Sequence, residues 1–364
     1  MASKGSKSAP ERDAAPISGP AARAFFEGRR VLVTGAAGSV GRALCAELAR
    51  MELGHLAMLD HFDHGLLEVC EDVGRDAPDL RTIELLCDIR DRGQLERAMD
   101  RAEPDIVIHA AALKHVHLGE RHPVECVLSN LLGARNTLCA AAAAGAQDFL
   151  LVSTDKAAAP SCLMGASKRL AELYLAGFER EQAIGVRLKS VRFGNVLGSQ
   201  GSVIPRFAAQ IAAGGPVEIT HPAMERFFMS ANDAVRLILT VAAFEDADAG
   251  RAASYYLDMG APIRIVDLAR QMMAEAGREV EIVYTGLREG EKLSEALYDR
   301  HEEATATALA DVYRVTQRSA NAWVSSTDLA TLEAAVRVED NSAVRDRVFA
   351  LLKARMADTG AVTA

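Results

Sequence analysis

The chain is 364 residues long, 49% hydrophobic and 25% charged, enough to bury a large core in one or two globular domains and too apolar for disorder throughout. A net charge of -9 and a pI near 5.6 exclude a general binder of nucleic acid or of a membrane surface, since both are polyanionic. Its longest apolar stretches, such as 138–146, fall well short of the ~20 residues that a membrane-crossing helix needs, so no membrane segment is expected.

Residues 1–22 are rich in Ala, Ser, Pro, Gly and charge without any period, and a mobile tail is expected as far as residue 28. From Arg30 onward, short aliphatic runs at 31–33, 56–59, 83–86, 106–108 and 150–152 alternate with helical patterns at 41–51, 127–144 and 167–182. That rhythm predicts βαβ units: an α/β fold with a doubly wound parallel sheet, a Rossmann-type dinucleotide-binding domain over 29–193. After Val191-Arg192-Phe193 the pattern loosens into Gly-rich turns, with helices expected near 203–213, 232–243 and 265–276. This predicts a smaller α/β substrate-binding lobe over 194–300, with segments returning to the first domain. Residues 301–364 are expected to form a mostly helical C-terminal appendage.

Directly after the first run comes Thr34-Gly35-Ala36-Ala37-Gly38-Ser39-Val40-Gly41, opening a helix. Glycines at 35, 38 and 41 allow a tight turn, close approach of backbone to a pyrophosphate and tight helix–strand packing, while the helix N-terminus attracts negative charge. Asp60, at the end of the second run, is placed to hold an adenosine ribose and favours NAD, because a carboxylate repels a 2'-phosphate. His61 and Arg75 lie nearby in sequence and leave NADP open. Asp88, followed by Ile89, stands where an acidic residue holds the adenine amine or merely caps a loop. The six cysteines stand singly, with no C-x-x-C pair and no secretory signal ahead of them, as reduced thiols of a cytoplasmic protein do. His61, His64, His115 and His117 lack a matching ligand pair at zinc spacing, so no metal is expected.

The run 150–152 leads into Ser153-Thr154-Asp155-Lys156, and eight residues later Met164-Gly165-Ala166-Ser167-Lys168 starts a helix. Ligands of open α/β sheets collect at the carboxyl ends of strands, and four-residue spacing puts Met164 and Lys168 on one helix face. With His109-Ala110-Ala111-Ala112-Leu113-Lys114-His115-Val116, Arg192-Phe193-Gly194-Asn195-Val196-Leu197-Gly198-Ser199 and Gly286-Leu287-Arg288-Glu289-Gly290-Glu291-Lys292-Leu293, these segments resemble the extended short-chain dehydrogenase/reductases. In particular, the chain looks like the polysaccharide-biosynthesis 4,6-dehydratases of UDP-N-acetylglucosamine, from about Arg30 to Leu297. The Y-x-x-x-K pair of the superfamily is matched at Lys168 and replaced by Met164. Configuration-retaining members carry methionine there and C5-inverting ones tyrosine, so the resemblance implies retention. Gln200 and Leu113 depart from the arginine and the aromatic residue usual at these positions, and the chain is expected to be the catalytic part alone.

The resemblance implies an internal redox cycle in which the sugar is oxidised at C4, loses water across C5 and C6, and is reduced at C6. A base at C5 and an acid at the C6 hydroxyl are then needed, and Asp155 and Lys156 are the pair on offer. As acid, Asp155 needs its pKa of about 3.9 raised; as base, Lys156 needs about 10.4 lowered. Adjacent strand residues face opposite ways, so both reach one sugar only if the chain leaves the strand by Thr154. A thioether moves no protons. The work of deprotonating the C4 hydroxyl is therefore expected to fall to Thr154 with Asp155 or a water near Lys168, while Lys168 fixes the nicotinamide ribose. By the same resemblance Gly35, Gly38, Ser39, Val40, Gly41, Asp60, Asp88, Ile89, Ala111 and Lys168 hold the cofactor. Lys114, His115, Asn195, Ser202, Val203, Arg226, Arg288 and Glu291 hold the UDP-sugar, with Arg226 as readily a structural ion-pair residue. A homo-oligomer is implied, the Ala-rich 127–144 helix being equally suited to an interface or to the interior of one subunit. The alternatives are a C5-inverting dehydratase or nucleotide-sugar epimerase, and a non-catalytic NAD(P)-binding regulator.

Overall fold

The computed structural model describes residues 19–182, 185–199, 201–247, 252–338 and 341–356. Six parallel strands, β1 (Arg30–Thr34), β2 (His55–Asp60), β3 (Thr82–Leu86), β4 (Ile106–His109), β5 (Asp148–Val152) and β6 (Arg187–Arg192), lie in the order β3-β2-β1-β4-β5-β6. A seventh, Ala252–Leu257, extends the sheet in parallel beyond β6. The order reverses between β1 and β4, which is where open α/β sheets hold ligands at the carboxyl ends of their strands.

Side-chain alternation along the strands builds two apolar layers. Leu32, Val107, Phe149 and Leu151 pack on one face with helices Arg92–Ala102, Gly133–Ala143 and Leu163–Glu181. Val31, Val33, Ile106, Ile108 and Leu150 pack on the other with helices Ser39–Leu48, Asp63–Asp76 and Ala231–Ala243. With both faces covered, β1, β2, β4 and β5 are mainly apolar runs, as buried parallel strands are, whereas β3 at the edge and β6 carry polar residues. The expected 127–144 helix is interrupted by a π-helical turn, Leu128–Leu132. Its continuation buries Ala134, Leu138 and Ala141 in the subunit's own core. A smaller lobe has a separate core of Phe207, Ile211, Val217, Ile219 and Met273, framed by helices Val203–Ala212 and Ile265–Glu275 and three two-stranded ribbons.

Two expectations need correcting. The expected tail lies outside the described residues up to 18, but Pro20–Phe26 is a helix that buries Ala22 and Phe26. The expected helical appendage begins instead with two strands, Glu302–Ala306 and Val312–Gln317, which add an antiparallel hairpin to the main sheet next to Ala252–Leu257. The helices Ser326–Arg337 and Asn341–Met356 then join the core through Leu329, Leu332, Val344 and Val348.

The hairpin is held by buried charge. Glu302 accepts from Arg192 at 2.8 Å on each carboxylate oxygen and from Arg169. Arg192 also clamps Glu172, at 2.9 and 2.6 Å, and Arg169 reaches Glu172 at 3.2 Å. All four side chains are at most 2% exposed. Burial pushes the Glu302 carboxyl up, but Arg192 and Arg169 outweigh it and hold the pKa at about 2, against an ordinary 4.5. Removing one partner of such a pair strands the others without compensation, at a cost of roughly 3–5 kcal/mol. Glu302→Ala should therefore lose about that much stability in urea unfolding. Because the folded pKa is depressed, the Glu302 contribution should be complete above pH 4.5 and decline as pH falls toward 2,; this is read by comparing the acid dependence of unfolding in the two proteins.

Candidate active site

The glycine turn after β1 forms a cradle. Gly35 adopts φ +70°, and a Cβ there would fall 2.6 Å from the Ala111 nitrogen, while one on Gly41 would fall 2.0 Å from the Gly35 carbonyl. Gly38, which has no side chain, is the N-cap of the helix that opens at Ser39 and Val40. The Asp60 carboxylate accepts from the Ala37 N–H at 2.9 Å and the Phe62 N–H at 3.0 Å, which fixes it at the rim of the cradle. A cavity of about 460 Å³ opens here, lined by Gly35, Gly38, Asp60, Asp88, Ile89 and Ala111 among others. These residues fit a dinucleotide: bare backbone and a helix N-terminus for the pyrophosphate, a fixed carboxylate for a ribose. Asp88 lines the same cavity but is engaged by Arg90 at 2.9 and 2.5 Å. Burial opposes its ionisation, yet the Arg90 bonds dominate and lower its pKa.

At the far side of the switch point, β5 ends at Val152 and Asp155–Ala157 forms a 3₁₀ turn capped by the Thr154 hydroxyl. The chain has thus left the strand by Thr154, as a shared approach of Asp155 and Lys156 requires. The Thr154 hydroxyl donates to Asp155 Oδ1 at 2.9 Å, and Lys156 Nζ donates to the same oxygen at 3.0 Å. Asp155 is 1% exposed, and its Oδ2 has no hydrogen-bond partner among the described residues.

One electrostatic expectation is overturned. Lys156 as base called for a lowered pKa; burial does push that way, but the charges of Asp155 and Glu295 outweigh it and the pKa is raised. At rest Lys156 is an ammonium ion. Burial lowers the pKa of Lys168 to about 8; its Nζ donates to the Val152 carbonyl at 3.0 Å. Burial also lowers His109 to about 3, leaving a neutral ring with Nδ1 2.8 Å from the Thr34 hydroxyl.

Met164 sits one residue into helix Leu163–Glu181, whose N-cap is Cys162. It is 4% exposed and belongs to the apolar core. A Cβ on Gly119 would approach the Met164 Cβ to 3.4 Å. Position 164 therefore supplies packing and no proton.

The residues matched to the sugar nucleotide separate into two groups. Asn195 accepts from Lys156 Nζ at 3.4 Å, and buried Arg226 lies 4.0 Å from Glu295 while donating to the Leu293 carbonyl at 3.1 Å. These two join the Asp155–Lys156 cluster, where Arg226 makes an ion-pair contact with Glu295. Arg288 and Glu291 instead form a local turn, closed by the Arg288 N–H on Glu291 Oε2 at 3.1 Å, with Arg288 exposed. His115 packs against Gly201, beside Ser202 and Val203 at the start of helix Val203–Ala212, where the Ser202 hydroxyl is buried without a partner among the described residues. Lys114 is exposed in the adjoining loop, and Gln200 lies outside the described residues.

Two site residues escaped the sequence. Asn130, in the π-helical turn, accepts from the Leu113 N–H at 2.8 Å and donates to the Leu113 carbonyl at 3.0 Å, pinning the loop that follows β4. Its side chain also meets Ser167 at 3.2 Å, tying that loop to the Met164–Lys168 helix. Glu295 stands two residues past the Gly286–Leu293 segment, 3.9 Å from Lys156. Its side chain is 5% exposed, which proximity to Leu293 alone did not reveal. Among the described residues no cluster of His, Cys, Asp or Glu could hold a metal ion, and no helix is long and apolar enough to cross a membrane.

A glycine cradle, a carboxylate-tipped second strand and a lysine helix beside a Thr-Asp-Lys turn make an α/β protein whose cleft fits a dinucleotide,. The chain belongs to the polysaccharide biosynthesis protein family, whose profile matches residues 31–317. It is 40% identical over 281 residues to the probable polysaccharide biosynthesis protein EpsC of Bacillus subtilis, an alignment spanning 76% of this chain and 46% of EpsC. The chain thus spans about half the length of that relative. A Rickettsia canadensis protein named UDP-glucose 4-epimerase is 33% identical over 80% of this chain and 84% of its own. The crystal structure of Pen from Bacillus thuringiensis superposes with a TM-score of 0.73 at 30% identity, over 81% of this chain and 90% of Pen.

The cradle makes the first site prediction. Gly35→Ala puts a side chain where φ is +70° and the Ala111 backbone is 2.6 Å away, so NAD affinity, measured by calorimetric titration of the folded protein, should fall at least about ten-fold, in line with the loss of a close backbone approach.

Proposed function

We propose that the chain removes water from UDP-N-acetylglucosamine across C5 and C6, giving a UDP-4-keto-6-deoxy sugar with the C5 configuration retained, for glycan or polysaccharide synthesis. The observation that carries this reading is the Thr154-Asp155-Lys156 turn at the end of β5, which joins a hydroxyl, a carboxylate and an ammonium within 3.0 Å of one oxygen, while position 164 offers no phenol. NAD is the cofactor this reading assigns to the cradle, since the buried Asp60 carboxylate opposes a 2'-phosphate. When bound, it supplies a reversible store for the hydride that leaves C4 and returns to C6.

The protein's own groups carry the protons. Thr154 already donates to Asp155, so a C4 hydroxyl bonded to Thr154 has a continuous route to that carboxylate. A carbonyl at C4 acidifies the C5 proton, which the Lys156 amine removes and, once the hydride has reached C6, returns to C5 on the face it left. Asp155, protonated by the first step, then protonates the departing C6 hydroxyl. Lys168 contributes positive charge near the nicotinamide end and anchors the ribose. Asn195, Ser202, Val203, Lys114, His115, Arg288 and Glu291 make up the proposed sugar-nucleotide side, with Arg226 holding its charge in place. The work is assigned to the cytoplasm and to a homo-oligomer.

The likeness to a protein named as an epimerase favours a second reading, in which C4 is inverted and no water leaves. Incubation with UDP-N-acetylglucosamine separates the two: a product lighter by one water, with unchanged C5 configuration by NMR, supports dehydration with retention. An isomer of unchanged mass supports the epimerase, and intact substrate after prolonged incubation with added NAD sinks both for this sugar. Asp155→Asn or Lys156→Gln should lower kcat by roughly 10²–10⁴-fold, the range of a lost general acid or base. Met164→Tyr should leave turnover within about ten-fold of the parent, because the proton route bypasses position 164.

A further inference from the structure

Lys156 is charged at rest, yet a base at C5 must be a free amine, so something has to take its proton. Four ionisable side chains surround the problem. Asp155 and Lys156 come from the turn after β5, Arg226 from the ribbon strand Glu225–Arg226, and Glu295 from the loop beyond Gly290. Lys156 Nζ lies 3.0 Å from Asp155 Oδ1, 3.4 Å from Asn195 Oδ1 and 3.9 Å from Glu295 Oε1, and Arg226 Nη2 lies 4.0 Å from that same Glu295 oxygen. The Glu295 side chain is 5% exposed. Lys292 and the Cys162 thiol complete the titratable groups acting on it or on Lys156.

The charge balance favours Glu295 as acceptor. Asp155 Oδ1 already receives both the Thr154 hydroxyl and the Lys156 ammonium, and Asp155 is occupied with the proton that arrives through Thr154. Burial raises the pKa of Glu295, and the charge of Asp155 adds to it, against the pull of Lys156, Arg226 and Lys292. Moving one proton from Lys156 to Glu295 turns two opposite charges into two neutral groups and leaves Arg226 and Asp155 as they were. The net charge of the buried cluster does not change.

We propose that Glu295 is a positioning residue for Lys156, holding its ammonium at rest and accepting one of its protons so that the free amine faces C5. One N–H bond of Lys156 breaks and one O–H bond forms on Glu295, with no further reagent. The 3.9 Å separation is an ion-pair contact, and transfer requires it to shorten by about 1 Å to hydrogen-bond distance. This inference rests on the assignment of Lys156 as the base of the dehydration proposed above.

The test uses the full chain loaded with NAD and carrying ¹³C at glutamate carboxyls, with the Glu295 signal identified by its loss in Glu295→Gln. In the parent the Glu295 signal should titrate above 4.5, and Lys156→Gln should move that midpoint up by about one unit or more, as loss of an adjacent cation does. An unmoved midpoint overturns the proposal. In turnover, Glu295→Gln should lower kcat at least about ten-fold with KM within about three-fold, and Glu295→Asp should recover part of the loss, because only the aspartate can still take a proton. Turnover of Glu295→Gln at the parent rate overturns the proposal as well. If the parent leaves UDP-N-acetylglucosamine intact, the substrate reading has failed, and the carboxyl titration alone decides whether Glu295 and Lys156 are coupled.

Discussion

Four buried charges hold one helix, the main sheet and the C-terminal hairpin together: Arg169, Glu172, Arg192 and Glu302, none more than 2% exposed. They come from three elements of the chain. Arg169 and Glu172 lie on the Leu163–Glu181 helix, Arg192 ends β6, and Glu302 starts the C-terminal hairpin. Charges so fully buried are tolerated only when they are paired, so the helix, the sheet and the hairpin must be present together. The hairpin is consequently part of the main sheet, and Asp299 and Leu297, whose backbones bond to Glu302 and Arg192 at 3.1 Å each, are fixed along with it.

This network reaches the Thr154–Lys156 turn through Ser153. Its hydroxyl donates to Glu172 at 2.6 Å, one residue before Thr154 and two before Asp155. On the other side, the segment that ends in Leu297 and Asp299 carries Glu295. The quartet thus grips both arms of the Asp155–Lys156–Glu295 cluster, one arm at the tip of β5 and the other in the loop before the hairpin. The two clusters have the same composition, two cations and two carboxylates, but differ in satisfaction. In the quartet every carboxylate oxygen accepts at least one hydrogen bond, and Arg169 Nε is its atom without a partner among the described residues. The site cluster keeps Asp155 Oδ2 without a partner among the described residues and holds Lys156 and Glu295 at 3.9 Å, so charge there can be rearranged.

Much of this was legible in the residues themselves. The apolar runs located five of the main strands, the glycine spacing located the cradle, and the Ser153–Lys156 and Met164–Lys168 segments located the turn after β5 and the helix beside it. What escaped has physical reasons. Glu302-Glu303-Ala304-Thr305-Ala306 looks nothing like a strand, because its pairing is stabilised by Glu302 and its buried arginines more than by β-branched side chains. Asn130 hid in a helical pattern, since one π turn shifts the register without changing the composition. Glu295 and the raised pKa of Lys156 depend on charges that meet only in three dimensions, Arg226 and Glu295 being 69 positions apart by their own numbers; spacing along the chain carries no trace of such encounters.

The central claim is that one sugar is oxidised at C4 and reduced at C6 within a single turnover, with protons handled by Thr154, Asp155 and Lys156. UDP-N-acetylglucosamine carrying deuterium at C4 tests it most directly. The account predicts a product lacking one water, with the deuterium at C6 and no net reduction of NAD. Deuterium still at C4 of an isomerised sugar, or lost to the solvent, would contradict it.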